Sequence, residues 1–463
     1  MHIRPLAWLA LATLTGHVGL TQAQPTDPKP HACPSEVPAG ATCHVGEDGL
    51  GGFYWIALPA GWKPQTGVLV VHAHGGPADT GPATLARGEE DLKRWAITVK
   101  AGHAWAGATY RRGGFGVSMA AEDTERVRRI FVKHFGPPRR TILHGQSYGA
   151  SVAAKGAEMY AMVDGPNGKV KGPYDGMLLT SGLLGGGTRA YDFRIDLRVV
   201  YQYVCKNHPK ADEPQYPLWQ GLPMNATLTR AQLAARVDEC TGVRKPAAQR
   251  SEQQKANLAT IVNVIQIPER SLIGHLNWAT WLFRDLTQLR LGNRNPFNNA
   301  NVRYKGSSDD AALNAGVLRY TADPVAVAEL AKDSDPDGRI NLPVLSLHAV
   351  NDPTAFVELE SAYRETIERA GNGAGDLRSA MYGTGEAWVQ TRLAGFARLP
   401  GGFAARGDLK GRCEDALAFR MPQARSIKPE SEALLRPVGS APKPHQAPST
   451  SLSRQPPPRS VCI

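Results

Sequence analysis

The sequence predicts an α/β fold in which a mostly parallel sheet is flanked by helices, and three observations carry this prediction. Strand-like and helix-like segments alternate between residues 53 and 181. The run 67–73 is apolar without alternation, as in a strand covered on both faces. A β-branched run enters the Gly-x-Ser-x-Gly sequence at 145–149, and a small-residue segment with helical character leaves it. Such alternation is typical of parallel sheets covered by helices.

The N-terminal residues 1–23 have the pattern of a secretory signal peptide. A basic start at Arg4 precedes an apolar run from Leu6 to Leu14, and small residues at 21–23 resemble a cleavage site. The run is too short to cross a bilayer, and no later segment is apolar enough to do so. We therefore expect a secreted or periplasmic protein without a membrane span.

The cysteine content fits an oxidising compartment. Six cysteines allow three disulfides in fifteen connectivities, and proximity in the sequence favours the pair Cys205–Cys240. The other four cysteines are Cys33, Cys43, Cys413 and Cys462. None has the paired CxxC spacing of a zinc site, and we expect no metal site.

The positive charge is concentrated near the C-terminus. The chain carries a net charge of +11, and the segment after Trp388 alone holds 12 Lys and Arg against 5 Asp and Glu. Basic and aromatic residues do not interleave on one face, so nucleic-acid binding is not expected. The sequence gives no indication of the oligomeric state.

The elements of the first half follow in order from composition and periodicity. The proline-rich stretch 25–38 predicts an extended lead-in. Apolar residues at helical spacing predict a helix over 123–135, which ends at a Gly-Pro-Pro sequence. Strands are predicted within 53–58, 67–77, 104–110, 141–144 and 174–181.

The alternation stops after residue 184. Three segments of helical character, 230–240, 251–265 and 271–289, predict a large helical insertion in the position of a lid. A strand resumes within 342–353, and a helix to Gly371 and a strand at 377–382 follow. The predicted organisation is a signal peptide 1–23, a core in two parts 24–184 and 339–420, a helical lid 185–338, and a disordered Pro-rich basic tail 421–463.

Ser147 is the candidate nucleophile. Gly145 and Gly149 flank it at the positions where a tight strand-to-helix turn leaves no room for Cβ atoms. With 48 glycines in the chain, the pattern also arises by chance. Its place between a strand and a helix favours the functional interpretation.

Three segments together resemble a secreted carboxylesterase of the α/β-hydrolase superfamily, with the likeness running over 53–382. His74-Gly75-Gly76-Pro77 resembles the oxyanion motif of that family, 145–149 its nucleophile elbow, and Asn351-Asp352-Pro353 its acid loop. The resemblance implies an α/β-hydrolase fold with a lid. It also implies cleavage of small-molecule or polymeric carboxylic esters through an acyl-enzyme, without a cofactor.

The resemblance also implies roles for individual residues. Ser147 would attack the ester, and the backbone N–H groups of Gly76 and Tyr148 would stabilise the oxyanion. Asp352 would orient the imidazole of the base, although an aspartate before proline is also a common turn residue. His74 is expected to organise its loop rather than act as a base.

The catalytic histidine stays unassigned. The family places it in the loop after the strand that follows the acid, near position 387, where the sequence 383–388 contains no histidine. Four explanations for the missing histidine compete. Either His445 in the tail or His275 in the lid could act as the base. Alternatively, the protein is a non-enzymatic relative, or the sequence after about Gly385 is a divergent, truncated or frame-altered end.

Two other functions compete with the esterase. His74-Gly75-Gly76-Pro77 also resembles prolyl-oligopeptidase-like serine peptidases, which usually carry a propeller domain, and the chain has no four-strand repeats. The missing histidine favours a catalytically dead hydrolase-fold binding protein.

Overall fold

A computed structural model describes residues 24–76, 81–165, 168–371 and the backbone of the strand 377–382. The strands β1–β11 are, in chain order, Lys29–His31, Thr42–Glu47, Phe53–Leu58, Val68–Ala73, Ala104–Ala108, Arg140–Gln146, Met162–Gly165, Gly168–Lys171, Gly176–Thr180, Val344–Ala349 and Leu377–Tyr382.

The helices α1–α12 are, in chain order, Leu85–Trp95, Ile97–Lys100, Val117–Phe135, Tyr148–Met159, Gly187–Ala190, Phe193–Cys205, Arg230–Thr241, Glu252–Ile265, Leu272–Asn277, Asp310–Gly316, Pro324–Ser334 and Glu358–Arg369. Short 3-10 turns occur at Leu218–Gln220, Ala247–Gln249 and Glu269–Ser271.

Nine of these strands form one sheet in the order β1-β2-β3-β5-β4-β6-β9-β10-β11. The six strands from β5 to β11 in that order are parallel to their neighbours. The antiparallel strands β1, β2 and β3 form one edge. The prediction of a mostly parallel sheet flanked by helices is therefore confirmed.

Apolar side chains bury both faces of the sheet. On one face α3 and α4 pack against each other and against the strands, and α3 contributes Val127, Ile130 and Phe131 to a large core. On the other face α1 contributes Leu92 and Trp95 to a second, smaller core. The near-continuous apolar runs of the central strands follow from this burial on both sides.

Between β9 and β10 the chain forms α5–α11, and two of these helices match their predicted bounds to within one residue at each end. Both α7 and α8 begin with a capping box, at Thr229 with Gln232 and at Ser251 with Gln254. In such a box the side chains satisfy the backbone N–H groups that the first turn leaves unpaired.

The predicted helical segment 271–289 is helical along its whole length, but it is not a regular α-helix. After α9 the backbone widens into two π-helical segments, Trp278–Leu282 and Asp285–Arg290. The hydroxyls of Thr280 and Thr287 donate to carbonyls four residues earlier, at 2.7 and 2.8 Å, and compete there with the backbone donors. The apolar pattern that predicted the helix carries no signal of this competition.

Two disulfides lie within the described residues. Cys205–Cys240, the pair predicted from the sequence, joins the end of α6 to α7, and Cys33–Cys43 ties the N-terminal edge of the sheet. Cys413 and Cys462 lie outside the described residues. Along the described ranges, no helix is both long and apolar enough to cross a membrane.

Candidate active site

The turn at Ser147 has the geometry of a nucleophile elbow. The strand β6 ends at Gln146, Ser147 adopts φ 55° and ψ −121°, and α4 begins at Tyr148. The Ser147 N–H donates to the carbonyl of Thr180 on β9 at 2.9 Å, which fixes the turn to the neighbouring strand. A non-glycine residue held at positive φ costs on the order of 1–3 kcal/mol and is typical of functional sites.

Both flanking glycines are required by close backbone contacts. A Cβ on Gly145 would lie 2.0 Å from the carbonyl oxygen of Gly149. A Cβ on Gly149 would lie 2.1 Å from the carbonyl oxygen of Ala73, the last residue of β4. The elbow therefore packs directly against the strand that leads into Gly75 and Gly76.

The mostly parallel sheet and this strand–turn–helix junction define an α/β-hydrolase fold.

Ser147 and Asp352 line the same cavity. Its volume is about 450 Å³, and it lies at the carboxyl ends of β6, β9 and β10, where open parallel sheets place their ligands. The lining residues are Gln146, Ser147, Ser181, Arg270, Ala349, Asn351, Asp352, Pro353, Thr354 and Ala355.

The carboxylate of Asp352 is held by its own loop. Its Oδ1 accepts hydrogen bonds from the N–H groups of Thr354 at 2.8 Å and Ala355 at 3.0 Å. These are the bonds of a turn residue, and they also fix the carboxylate at the wall of the cavity. The turn interpretation and the acid interpretation of Asp352 are thus compatible.

The predicted oxyanion donors, Gly76 and Tyr148, lie in the loop after β4 and at the start of α4. Tyr148 is the first residue of α4, where backbone N–H groups have no acceptor within the helix. Gly76 follows β4 with φ 145°, and residues 77–80 after it lie outside the described part of the chain. Neither residue lines the 450 Å³ cavity, and their role stays a prediction.

His74 has a structural environment, as expected from the sequence. Its Nδ1 donates to Asp91 of α1, its Nε2 accepts from Arg87 Nε, and its carbonyl accepts from the Tyr110 hydroxyl at 2.8 Å. Burial alone would raise the pKa of Asp91, but interactions with His72 and His74 outweigh burial and hold that pKa well below its usual range. The charged Asp91 thus anchors the loop that carries Gly76.

His275 is not placed as the base. It does not line the cavity, and its Nε2 donates to the Pro353 carbonyl at 2.8 Å. Burial, and after it the charge of Arg194, lower the pKa of His275 to about 3, so the imidazole is neutral at ordinary pH. The alternative with His275 as base therefore has no support in this geometry.

A second buried histidine supports the other end of the acid loop. His348 on β10 donates from Nε2 to the Ala355 carbonyl and from Nδ1 to Glu360, both at 2.9 Å. Burial would lower the pKa of His348, but the Glu360 carboxylate raises it above its ordinary value.

No histidine of the described ranges lines the cavity. Both the loop 383–388 and His445 lie outside the described residues. In the same described ranges, no cluster of three or more His, Cys, Asp or Glu is arranged to hold a metal ion.

The polar residues Ser181 and Arg270 of the cavity wall were not predicted from the sequence. Ser181 follows β9, which lies between the strands of Ser147 and Asp352, so its place at the end of a predicted strand was an available signal. Arg270 lies in the turn Glu269–Ser271, and no local pattern distinguishes it from other surface arginines.

Neither a protein-family model nor a curated protein matches the sequence. Among solved structures, the rice cell wall degrading esterase LipA from Xanthomonas oryzae aligns over 77% of this chain and 87% of its own, at 13% identity and TM-score 0.37. Candida antarctica lipase A in its closed state aligns over 79% and 77%, at 10% identity and TM-score 0.39. Porphyromonas gingivalis dipeptidyl peptidase 4 aligns over 75% and 33%, at 10% identity and TM-score 0.36. Similarity at this level assigns no substrate to the chain.

Proposed function

We propose that the protein is an exported serine hydrolase that cleaves carboxylic esters through an acyl-enzyme. The observation that carries the proposal is the pairing of Ser147, held at φ 55° in an elbow, with Asp352 on the wall of one cavity. A nucleophile held in a strained turn at a cavity wall, with a fixed carboxylate on the same wall, is typical of a nucleophilic site.

The proposed reaction has two steps. Ser147 Oγ attacks the ester carbonyl carbon, the new C–O bond forms, and the alcohol leaves with the proton that the serine loses. Water then attacks the acyl-serine and releases the carboxylic acid and free Ser147. The N–H groups of Gly76 and Tyr148 are proposed to stabilise the negative oxygen in both steps.

The proton acceptor limits the expected rate. No described histidine lines the cavity, and the sequence lacks a histidine at the family position. Sites that lose a triad residue keep about 10³–10⁴-fold catalysis over water through the oxyanion hole and binding. We therefore expect slow turnover.

Export and the lid belong to the same proposal. Two disulfides and the pattern of residues 1–23 support a secreted or periplasmic location. The helices α5–α11 are proposed to form a lid over a small-molecule or polymeric ester, because the chain inserts them between β9 and β10, two strands that end at the cavity.

A fluorophosphonate probe tests the nucleophile. The purified protein should be labelled at Ser147, slowly compared with an intact triad, and Ser147→Ala should abolish labelling. Ser151→Ala is the matched control, since Ser151 lies one turn further along α4 with its hydroxyl on the Leu183 carbonyl. Equal labelling of wild type and Ser147→Ala would refute the assignment.

A hydrolase-fold binding protein is the second candidate, favoured by the absence of a histidine from the described wall of the cavity. A folded protein that neither reacts with the probe nor turns over p-nitrophenyl esters would establish it. The peptidase alternative requires faster turnover of amino-acid p-nitroanilides than of esters in parallel assays.

A further inference from the structure

We propose that the segment 270–275 of the helical insertion positions the acid loop, with His275 as the positioning residue for Asp352. The inference rests on the proposed role of Asp352 and extends the role of the insertion beyond covering the pocket.

Two side chains of this segment hold the backbone on either side of Asp352. His275 Nε2 donates to the carbonyl of Pro353 at 2.8 Å, and Arg270 Nη2 donates to the carbonyl of Asn351 at 3.5 Å. The first bond is short and partly buried, whereas the second is long and exposed. His275 therefore carries most of the restraint.

Ring packing fixes His275 itself. Its imidazole centroid lies 5.2 Å from that of Phe193 on α6 and 6.0 Å from that of Phe356, four residues after Asp352. The rings of Phe193 and Phe356 are 4.8 Å apart. The three rings join two helices of the insertion to the chain that leaves the acid loop, and His275 is 2% exposed.

The core also holds the loop, at the residues that follow Pro353. His348 on β10 donates to the carbonyl of Ala355 at 2.9 Å, and the N–H groups of Thr354 and Ala355 bind Asp352 Oδ1. The core thus restrains one end of the loop and the insertion the other. Loss of His275 would free the Pro353 carbonyl and allow the carboxylate to shift, and small misplacements of this kind cost roughly 10-fold or more in rate.

The first test is a double-mutant cycle on the rate of Ser147 labelling by the fluorophosphonate. His275→Leu should slow labelling by roughly 10-fold, whereas His275→Gln, which keeps a donor, should restore most of the rate. In the Asp352→Asn background, His275→Leu should cause no further loss. Multiplicative effects of the two substitutions would overturn the proposal, and so would an Asp352→Asn variant that labels at the wild-type rate.

His208→Leu is the matched control for a merely structural effect. His208 is also buried in the insertion, where its Nε2 contacts Arg198 and Thr280 at 2.7 and 2.9 Å, away from the acid loop. It should lower stability without slowing labelling at temperatures where the variant is folded. Equal slowing by His208→Leu and His275→Leu would contradict the positioning role.

Hydrogen exchange gives a readout that does not depend on activity. In His275→Leu the amides of Thr354 and Ala355 should exchange faster, while those of β9 stay unchanged and His275→Gln stays near wild type. Unchanged exchange in the acid loop would overturn the proposal even if Ser147 does not react with the probe, a result that would separately refute the hydrolase assignment.

Discussion

Single glycines at the elbow are constrained by backbone rather than by side chains. A methyl group at Gly149 would lie 2.1 Å from the carbonyl of Ala73, and backbone of a central strand cannot move aside. We predict that Gly149→Ala lowers the free energy of unfolding by about 3 kcal/mol or more. Chemical denaturation followed by circular dichroism measures this.

Gly274 supplies the matched control. It lies in α9 with nothing within 4 Å of its hypothetical Cβ. Gly274→Ala should raise stability by up to about 1 kcal/mol through helix propensity. If both substitutions had the same small effect, the close contact at the elbow would not exist in solution.

Buried His275 predicts a loss of stability in acid. Its pKa is about 3 in the folded protein and near 6.5 when exposed, so the unfolded chain binds more protons between these pH values. Stability therefore falls as pH drops from about 6.5 toward 3, by at most about 1.4 kcal/mol per pH unit from this group.

The variant His275→Gln tests this origin. Glutamine keeps a donor for the Pro353 carbonyl but does not titrate, so the slope of unfolding free energy against pH between 4 and 6 should become flatter. Arg194 is the charged group that acts on His275, and its charge does not change in this range. An unchanged slope would mean that other groups cause the acid loss.

Residues of the site differ in how much the sequence reveals about them. Ser147 and Asp352 were predictable, because each lies in a short pattern at the end of an apolar strand. Ser181 lies at the end of a predicted strand, but only the strand order places it beside Ser147 and Asp352. Arg270 and the contact of His275 with Pro353 reach the site through the folding of a distant insertion, which no local pattern reveals.

At the scale of elements, the contact between Asp91 and His74 joins α1 to the loop after β4. Asp91 of α1 binds His74, and the fixed charge of Asp91 holds the loop that leads to Gly76. We predict that Asp91→Asn slows labelling of Ser147 by roughly 10-fold, because a loosened donor stabilises the oxyanion less well. The measurement is the same fluorophosphonate assay.

Glu89→Gln in the same helix is the control. Glu89 pairs with Lys93 at 2.7 Å on the exposed face of α1, where solvent screens ion pairs and they contribute little to stability. It should leave labelling unchanged. Equal rates for wild type and Asp91→Asn would show that the loop does not depend on this anchor.

Helices and strands were predictable where their buried positions are apolar residues at the spacing typical of the element. The helices α7 and α8 show both the period and the capping residues, and β4 and β6 show continuous apolar runs. The helix α1 was missed because its buried positions include Gly88 and Asp91, which give no apolar signal. The strand β1 is three residues long and exposed, and only pairing with β2 defines it.

At the scale of the whole molecule, the pairing of β11 with β10 places the end of β11 near the cavity. The strand β11 runs parallel to β10, and Tyr382 pairs with Ala349, which lines the cavity. The chain therefore leaves the sheet at the same edge as the acid loop.

The strands that lead to Ser147 and Asp352 are separated in the sheet by only β9, although some 200 residues lie between the two side chains in the sequence.

The register of β11 on β10 makes Ala387→His a test of whether the chain after β11 reaches Ser147. Position 387 lies outside the described residues, five residues after the end of β11. The esterase family that the sequence resembles has its catalytic histidine at about this position. If the site lacks only an imidazole, the substitution should raise kcat/KM for p-nitrophenyl butyrate by about 10²-fold or more, within the range of general-base catalysis. Ala387→Gln should give no gain, and Asp352→Asn should remove most of the gain. A rate unchanged by Ala387→His would mean that the segment after Tyr382 does not bring this position to Ser147.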